Sequence, residues 1–455
     1  MTKMTSGDQN GPAETTPRSP MRRQLFVGGA AAALLSACGG GGSDGGGSGA
    51  DPGSVAAKNV LYVESNDPRA GLNSILAYAR AADGSLTPLA GSPFLTAGKG
   101  HTNPTAGKLG PNDLDYSMIT SADKKRLFAV NSGSNTIAVF DIIGDGTLRP
   151  VAGSPFASNG RNPVSLTIAG NRLYVVNKND DADQLPNADR PNYTGFTIET
   201  NGRLTPIPGS TVPVVAGGSP SQVLASNDGR LLFGADFLAP LAQPGIGSLR
   251  SFRINADGTL TQPPSSPLAL PAGAMPPLPL GLYTHPTQNI LYVGFVTRKQ
   301  LGVYNFDPQS GALSFVRAVP NSGLEICWIR TTASGGRLYT VNNIDNSVSF
   351  YDNSAPLQPV EMQKLVLKDS GPLFLNDRGS DSFMQVTSTP FEPALSPDER
   401  FFYVVNQRAN FNSPSQEGNV IHVLAIGADG RLSEPGPSVR LPVPATARPQ
   451  GLVVL

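Results

Sequence analysis

This sequence has few cysteines, few histidines and no net charge. Its two cysteines exclude a disulfide framework as the source of stability. Its three histidines are scattered and form no H-x-H or H-x-x-x-H pair, so a histidine-based metal site is not expected, and no cofactor is predicted. Lysine plus arginine number 34, as do aspartate plus glutamate, so the chain lacks the basic excess that would point to nucleic acid as a partner.

Glycine and proline are abundant instead. The chain carries 51 glycines and 42 prolines, and 39% of its 455 residues are hydrophobic. This apolar content is enough for a sizeable core. The glycine and proline content favours many short strands and turns over long helices.

The N-terminal segment has the composition of an export signal. Arg22 and Arg23 precede a short apolar stretch, residues 27–37, which ends at Cys38 and is too short for a transmembrane helix. The paired arginines resemble a twin-arginine export signal, and the sequence L-S-A-C at residues 35–38 resembles a lipobox, in which the cysteine is acylated after cleavage. An ordinary cleaved signal peptide with an incidental cysteine is the alternative.

Residues 39–58 are rich in glycine and serine, which is typical of a flexible tether. We therefore predict a signal peptide with a lipobox at residues 1–38, a tether at residues 39–58 and one folded domain at residues 59–455. The mature protein is then expected to be a membrane-anchored lipoprotein, held through Cys38, that faces the periplasm or the cell surface.

A strand-like segment of the form L-Y-V-V-N recurs along the chain. Each copy is followed by an alternating apolar strand, a turn that often reads D-G or N-G, and a further strand. Such pairs between alternating strands are a strong hairpin signal, because both central residues can take positive φ. The seven copies are centred on Tyr62, Phe128, Tyr174, Leu232, Tyr292, Tyr339 and Tyr403.

A third apolar segment precedes most copies, which gives four strands per unit, named A to D from the axis outwards. Units of this kind are the blades of a β-propeller. The first unit lacks strand A, whereas residues 447–455 resemble a strand A with nothing after it. The sequence therefore predicts an all-β, seven-bladed β-propeller of four-stranded antiparallel blades, whose ring closes when the C-terminal strand completes the first blade.

Long connections are predicted on one face of the ring only. Alternating strand directions place the B-to-C and D-to-A connections on one side, here called the insertion face, and the A-to-B and C-to-D turns on the other, here called the turn face. Because loops on a rigid scaffold commonly carry function, we expect a monomer that binds a small polar molecule or a protein partner on the insertion face. The insertions span residues 95–112, 178–192, 236–247, 269–279, 367–390 and 407–418.

Polar residues at the axial starts of the A strands are the main site candidates. They are expected to converge on the mouth of the central channel and there to bind a polar ligand or to polarise a carbonyl group. Ion pairs and hydrogen bonds between neighbouring blades are the alternative role. The residues are Asp113, Asp115, Arg161, Asn162, Glu325, Glu392, Arg448 and Gln450, with Arg330 further along its strand.

Weaker candidates lie elsewhere in the chain. His101 is the one histidine expected on the insertion face, where a solvated loop histidine is the alternative to a ligand-binding one. Asp180, Asp181 and Asp183 make a weak calcium candidate, although they lack EF-hand spacing, and a solvated acidic loop is the alternative. Cys327 lies in an apolar run and is expected to be a small buried hydrophobe.

The Y-V-V-N strands, the D-G hairpins and the S-P-D-E-R turn at residues 396–400 resemble the seven-bladed lactonase family, which includes the propeller-type 6-phosphogluconolactonases and the broader YVTN-repeat propellers. The resemblance covers residues 60–455. Where the family commonly carries His and Asp in A strands, and Glu after the V-N of a B strand, this sequence has Arg330, Trp328 and Asn343.

Two functions from different classes follow. One is a binding or interaction module, with ligand contacts from His101, Arg161, Asn162, Glu392 and Arg448. The other, implied by the resemblance, is a lactone hydrolase. In that enzyme, Glu325, Asp113 or Asp115 acts as the general base and Arg330 polarises the carbonyl group.

Overall fold

Each sequence repeat forms one antiparallel sheet of four or five strands, and the seven sheets form a propeller ring, as predicted. The predicted signal peptide, Cys38 and nearly all of the predicted tether lie outside the described residues. Among the residues described, no helix has the length and apolar character needed to cross a membrane. The structure, a computed structural model, describes residues 58–101, 113–273, 275–377, 382–414 and 417–455.

The strands occupy the four expected positions in each blade. From blade I to blade VII, position A holds Gln450–Val454, Met118–Thr120, Pro163–Ala169, Pro220–Ala225, Pro279–Thr284, Ile326–Thr331 and Ser388–Leu395. In the same order, position B holds Val60–Glu64, Arg126–Asn131, Arg172–Asn177, Leu231–Asp236, Ile290–Phe295, Arg337–Asn342 and Phe401–Arg408. Position C holds Ser74–Arg80, Thr136–Ile142, Asn192–Ile198, Leu249–Ile254, Gln300–Phe306, Ser347–Asp352 and Val420–Ile426.

Position D is broken into two short pieces in four of the blades. It holds Leu86–Pro88 with Phe94–Leu95, Leu148–Pro150 with Phe156–Ala157, Leu204–Pro206 with Val212–Pro213, Leu260–Thr261, Leu313–Pro320, Val360–Val366, and Leu432–Ser433 with Val439–Arg440. The insertion between blades VI and VII forms a hairpin of its own from Leu373–Asp377 and Ser382–Val386. The helices of the described chain are short: Ala182–Gln184, Ala239–Ala242 and Val296–Arg298.

The ring closes as predicted. The strand Gln450–Val454 pairs antiparallel with Val60–Glu64, so that Leu452 lies opposite Val63. The same C-terminal strand also contacts the innermost strands of blades II and VII. The first and last strands of the described chain therefore share blade I and join the two ends of the ring.

Two sequence motifs meet between neighbouring blades. The tyrosine hydroxyl of a B strand donates a hydrogen bond to the carbonyl oxygen of the turn glycine in the next blade. Because a buried hydroxyl without a partner is costly, this bond fixes the register of one blade on the next. The bonds are Tyr62 to Gly146 (2.7 Å), Tyr174 to Gly258 (3.0 Å), Tyr339 to Gly430 (3.0 Å) and Tyr403 to Gly84 (3.0 Å).

The turns at these glycines differ from the expectation. Only the glycine takes positive φ, 85° at Gly84 and 87° at Gly146, whereas Asp83 and Asp145 before them do not. The aspartate carboxylate instead accepts the backbone N–H two residues on, as Asp83 does from Ser85 at 3.0 Å. The turns therefore do not use two left-handed central residues, because the aspartate side chain closes the turn and glycine alone supplies the left-handed conformation.

The core lies between blades, where apolar side chains of neighbouring sheets meet. Leu61 of blade I and Tyr403 of blade VII belong to one continuous cluster. Cys327 is fully buried in that cluster, as predicted. Beside it, the ring centroid of Trp328 lies 4.2 Å from that of Phe391, so large aromatic groups pack next to the axis.

Candidate ligand-binding site at the propeller axis

Residues 113–117, which lead into the first strand of blade II, cross the propeller axis and are here called the axial segment. Left-handed backbone at Asp113 (φ 42°) and Tyr116 (φ 61°) allows the chain to turn sharply there. Hydrogen bonds to four other blades fix the segment across the channel. They run from Trp328 Nε1 to Leu114 O (2.6 Å), Asp115 N to Ser221 O (3.4 Å), Leu166 N to Tyr116 O (2.9 Å) and Ser117 N to Glu392 Oε1 (3.3 Å).

A buried ion pair lies in this layer. Both terminal nitrogens of Arg330 donate to the Asp115 carboxylate, at 2.9 and 3.1 Å. Burial alone would lower the pKa of Arg330, but the charge of Asp115 outweighs it and raises that pKa. The amide of Gln222 lies 3.4 Å from the same carboxylate. A carboxylate and an arginine therefore do converge at the axis, and they bind each other.

Two tyrosines flank the guanidinium group of Arg330. Its Cζ atom lies 4.2 Å from the ring centroid of Tyr116 and 5.9 Å from that of Tyr283. Burial raises the pKa of both phenols, so both rings are uncharged at neutral pH. Cation–π contacts in a desolvated setting are worth about 2 kcal/mol, which holds the two rings against the ion pair.

A cavity of about 1220 Å³ ends at this layer and opens on the turn face. Tyr116, Tyr283 and Arg330 form its inner end, and A-to-B turns such as residues 121–124 and 226–229 form its rim. An aromatic inner end with hydroxyl groups along the wall suits a small polar molecule. The walls combine apolar and hydroxyl-bearing side chains of the A strands: Ile119, Thr120, Thr167, Ile168, Leu224, Thr331, Leu395 and Val453.

Two more carboxyl groups are buried beside the axial segment. Glu64 accepts a hydrogen bond from Asn73 at 2.9 Å and lies 3.5 Å from the amide of Gln450. Burial raises the pKa of Glu64 to about 8, and burial together with the charge of Asp115 raises that of Glu392 to about 8. At neutral pH both groups are mostly protonated, so they are able to donate a proton but not to accept one.

His101 is buried on the insertion face and is not a solvated loop residue. Its Nδ1 atom lies 3.3 Å from Oδ1 of Asp181, and both side chains are almost fully covered. Burial opposes ionisation of Asp181, but His101, Gln184 and a backbone amide outweigh it and lower the pKa of Asp181 to about 2. The pair joins the insertion at residues 95–112 to the one at residues 178–192.

The three aspartates of the calcium candidate turn to different partners. Asp181 binds His101. Asp180 lies 3.6 Å from Lys178 Nζ, and Asp183 lies 3.6 Å from the ammonium group of Lys99. In the part of the chain that the structure describes, no three His, Cys, Asp or Glu side chains come together as a metal site. The acidic loop forms ion pairs instead.

The other predicted residues are spread over the insertion face. Lys178 Nζ donates to the backbone oxygen of Asp113 at 3.3 Å and lies 3.9 Å from its carboxylate. Asn162 is buried beside blade II. Arg161 forms an ion pair with Asp189 at a second cavity of about 520 Å³, well away from the axis. Arg161 and Asn162 do not form one site with the ion pair at the axis, whereas Asp113 is the first residue of the axial segment.

Glu325 and Arg330 lie at opposite ends of one strand. Glu325 precedes Ile326–Thr331 with φ 58°, whereas Arg330 is the last but one residue of that strand. About 15 Å of extended chain therefore separates their Cα atoms. The predicted pairing of Glu325 as base with Arg330 is not formed, because Asp115 is the carboxylate that reaches Arg330.

Tyr116, Tyr283 and Glu64 were not among the residues predicted from the sequence. Glu64 left a signal, because it replaces the second valine of the repeat, which is Val130 in blade II and Val176 in blade III. A carboxylate at a strand position that is otherwise apolar and buried is an outlier. Tyr116 left none, because it lies in an insertion that does not follow the repeat.

Solved structures with a similar fold are known. A putative 6-phosphogluconolactonase from Bacteroides fragilis superposes with a TM-score of 0.59 over 89% of this chain and 99% of its own, at 17% identity. A periplasmic gluconolactonase from Pseudomonas aeruginosa gives a TM-score of 0.60 over 87% of this chain and 98% of its own, at 18% identity. The chain therefore shares the propeller fold of these two proteins. No protein-family model and no curated protein sequence matches it.

Proposed function

We propose that this protein is an exported, lipid-anchored propeller of the lactonase type that binds a small uncharged polar molecule in its axial cavity. The observation that carries the proposal is the inner end of the cavity, where Arg330, Tyr116 and Tyr283 meet. The cavity opens on the turn face, so the proposed ligand site lies opposite the insertions. Binding of a ligand or protein partner on the insertion face stays a prediction.

The charge state of the site selects the class of ligand. Asp115 compensates the charge of Arg330, and Glu64 and Glu392 are protonated at neutral pH. An anion therefore gains little at this end of the cavity. A neutral ring with several hydroxyl groups is better suited, because its C–H face stacks on the tyrosines and its hydroxyl groups bond to the threonines of the wall.

Isothermal titration calorimetry with D-glucose and with D-gluconolactone tests the binding proposal. Tyr283→Ala removes one aromatic wall and is expected to weaken binding about tenfold, the equivalent of about 1.4 kcal/mol. Phe315→Ala, an exposed aromatic residue on the outer strand of blade V, is the matched control and should bind as the wild type does. The proposal is contradicted if neither compound binds, or if Tyr283→Ala and Phe315→Ala bind equally well.

A lactone hydrolase is the second candidate, and the contact between Asp115 and Arg330 favours it. The neighbour from Pseudomonas aeruginosa is named a gluconolactonase. In such an enzyme Arg330 would polarise the lactone carbonyl while Asp115, released from it, takes a proton from the attacking water. The ring then opens to a hydroxy acid, which releases a proton that a pH-stat records.

Two variants separate this enzyme from a binding protein. Asp115→Asn is expected to slow lactone hydrolysis about a hundredfold or more, because it removes the base. Glu325→Gln, at the far end of the strand, should leave the rate unchanged. A purified protein that opens no lactone, or that loses equal activity in both variants, eliminates the hydrolase as proposed here.

Export and anchoring belong to the proposal and rest on residues 1–38. Cys38→Ser should move the protein from the membrane fraction to the soluble fraction. Replacing Arg22 and Arg23 by lysine should leave the precursor in the cytoplasm. A Cys38→Ser protein that still sediments with membranes contradicts the lipobox, and unchanged export of the lysine variant points to the general secretory pathway.

A further inference from the structure

Two arginines lie together beneath the insertion face, where blade VII meets blade I. Arg408 is the last residue of Phe401–Arg408, and Arg448 comes just before Gln450–Val454. They are 3% and 2% exposed. Both donate to the same acceptor, the backbone oxygen of Ala445, so the two guanidinium groups meet at one point.

No carboxylate compensates these two charges within the described ranges. Their hydrogen bonds go to backbone carbonyl oxygens, which are acceptors without net charge. Glu417 is the single acidic residue in the surrounding connections, residues 407–418 and 441–449, and no ion pair joins it to either arginine. The bonds run from Arg408 to Ser413 O (2.6 Å) and Ala445 O, and from Arg448 to Ala445 O (3.2 Å) and Ala447 O (2.9 Å).

The other buried arginines of the described chain each have an acidic partner. Burying an uncompensated charge is strongly unfavourable, and two like charges side by side are worse. A folded chain that keeps Arg408 and Arg448 together therefore needs negative charge from elsewhere. The compensated pairs are Arg330 with Asp115 (2.9 Å), Arg250 with Asp236 (2.5 Å) and Arg80 with Asp398 (3.6 Å).

The electrostatics of the two side chains agree with this comparison. Burial and the neighbouring charge of Arg408 lower the pKa of Arg448. Burial also lowers the pKa of Arg408. Both pKa values shift in the direction expected of a cation in an unfavourable environment, and a bound anion would raise them instead.

Both arginines also keep N–H groups without an acceptor. Nη2 of Arg448 and Nε of Arg408 are buried and have no hydrogen-bond partner. Over Arg448 lies the ring of Phe411, with its centroid 3.8 Å from Cζ, and this ring is 45% exposed. Because so exposed a side chain swings aside at low cost, Phe411 is the cover of the cluster.

We propose that Arg408 and Arg448 form a binding site for an oxyanion, the phosphate or carboxylate group of a small ligand. A guanidinium fork matches both groups in geometry and charge. The anion would supply the missing negative charge and the acceptors for the two unpartnered N–H groups. Neither arginine lines the axial cavity, so this site is independent of the one proposed for a neutral ligand.

Thermal unfolding of the full chain tests this site at constant ionic strength, with sodium chloride, sodium phosphate or sodium acetate as the salt. A ligand that binds only the folded state raises Tm, so phosphate or acetate should raise Tm above its value in chloride by about 2 °C or more. A larger effect of phosphate indicates a phosphate ester as the ligand, and a larger effect of acetate indicates a carboxylate.

The variants distinguish an anion site from a structural role. Arg448→Met should raise Tm in chloride, because it removes one of two repelling charges, and should abolish the response to the oxyanion. Arg448→Lys keeps the charge and weakens the response, which keeps the test valid if the methionine variant does not fold. Arg250→Met, at a compensated arginine, should lower Tm and retain the response.

Two results overturn the proposal. One is a wild-type Tm that is the same in chloride, phosphate and acetate. The other is an Arg448→Met protein that responds to the oxyanion as the wild type does. A lower Tm of Arg448→Met in chloride, without any oxyanion response in the wild type, assigns the arginines to holding backbone carbonyls only.

Discussion

The two faces of this propeller are built on different plans. The turn face consists of short connections that repeat from blade to blade, and it surrounds the axial cavity. The insertion face consists of connections that differ in every blade, and it carries most of the exposed large hydrophobic residues of the described chain. These are Leu72, Leu95, Leu185, Leu241, Met275, Leu373, Leu375, Met384 and Phe411, whereas Leu357 is the one in a turn on the other side.

The difference shows that the long loops and the axial cavity lie on opposite sides of the ring. The cavity forms because seven A strands converge on one axis and the axial segment closes the channel partway along. On the insertion side of that segment, polar groups such as Glu64 and Arg448 are buried. Binding in the cavity is therefore a property of the scaffold, and any binding on the insertion face is a property of individual loops.

The largest expected effect comes from deleting the C-terminal strand of the scaffold. A matched deletion on the insertion face is its control. Removal of Gln450–Leu455 takes the innermost strand from blade I and one wall from the cavity. Three buried aliphatic side chains, Leu452, Val454 and Leu455, lose about 1.5 to 3 kcal/mol each and the half-buried Val453 loses less, so that the sum approaches the whole stability of a domain. The truncated protein should aggregate or melt far below the wild type in a thermal scan.

The matched deletion removes more residues and should cost less. Thr387 N donates to Pro372 O at 3.1 Å, so a Gly-Ser linker is able to replace residues 373–386. That change removes an exposed hairpin whose contacts with the ring include the amides of Gln385 and Asn343, 3.5 Å apart. A hairpin deletion that destabilises as strongly as the terminal one contradicts the division between scaffold and loops.

Breaking the ion pair at the axis should have the next largest effect. Asp115→Asn leaves the Arg330 charge buried without compensation, which commonly costs about 3 to 5 kcal/mol. Chemical denaturation measures the loss. Adding Arg330→Met to that variant should restore part of the stability, since two neutral groups need no compensation. If the single and the double variant lose the same stability, the ion pair is not the contact that organises this layer.

Most of the scaffold was predictable from the sequence because it repeats. Seven copies of one pattern gave the blade count, and a missing first strand with a surplus last one gave ring closure. The bond from Tyr403 to Gly84 joins two of the repeated motifs and closes the ring between blades VII and I. The turn conformation was predicted less well, because the D-G pair in the sequence does not reveal that the Asp83 side chain closes the turn with a hydrogen bond.

The candidate site was only partly predictable, for a physical reason. Asp115 and Arg330 were both named from their positions, but their pairing depends on how residues 113–117 cross the axis. That path follows from left-handed backbone and from hydrogen bonds to four blades. Neither feature is part of the sequence repeat. Glu325 was named for its position at the start of the A strand that carries Arg330, and extended chain keeps the two apart.

The two buried carboxyl groups should make the stability of the protein depend on pH. Burial raises the pKa of Glu64 and Glu392 from a usual value near 4.5 to about 8, so the folded state binds more protons than the unfolded state between those values. Stability should therefore fall as pH rises from about 4.5 to about 8 and then level off. The loss should be readily measured, because each such group costs about 1.4 kcal/mol for every pH unit between its unfolded and folded pKa values.

Glu64→Gln and Glu392→Gln should each flatten that slope and raise Tm at pH 8, because the amide oxygen still accepts the bond from Asn73 or Ser117 and an amide never ionises. Glu199→Gln, on an exposed turn, is the control and should leave the slope unchanged. Unfolding curves at several pH values give the comparison. A slope that persists in the Glu64→Gln, Glu392→Gln double variant assigns the pH dependence to other groups.

The smallest expected effect belongs to the exposed side of the hairpin. Leu375 lies opposite Met384 in its register, and the two side chains are 63% and 54% exposed. Replacing both by serine removes little buried area, so the free energy of unfolding should change by no more than about 0.5 kcal/mol. Binding of a hydrophobic dye to the folded protein should decrease, because these residues contribute to the apolar surface of the insertion face. A loss of stability comparable to that of Asp115→Asn would mean that the hairpin is part of the scaffold, and the distinction between the two faces would fail at this point.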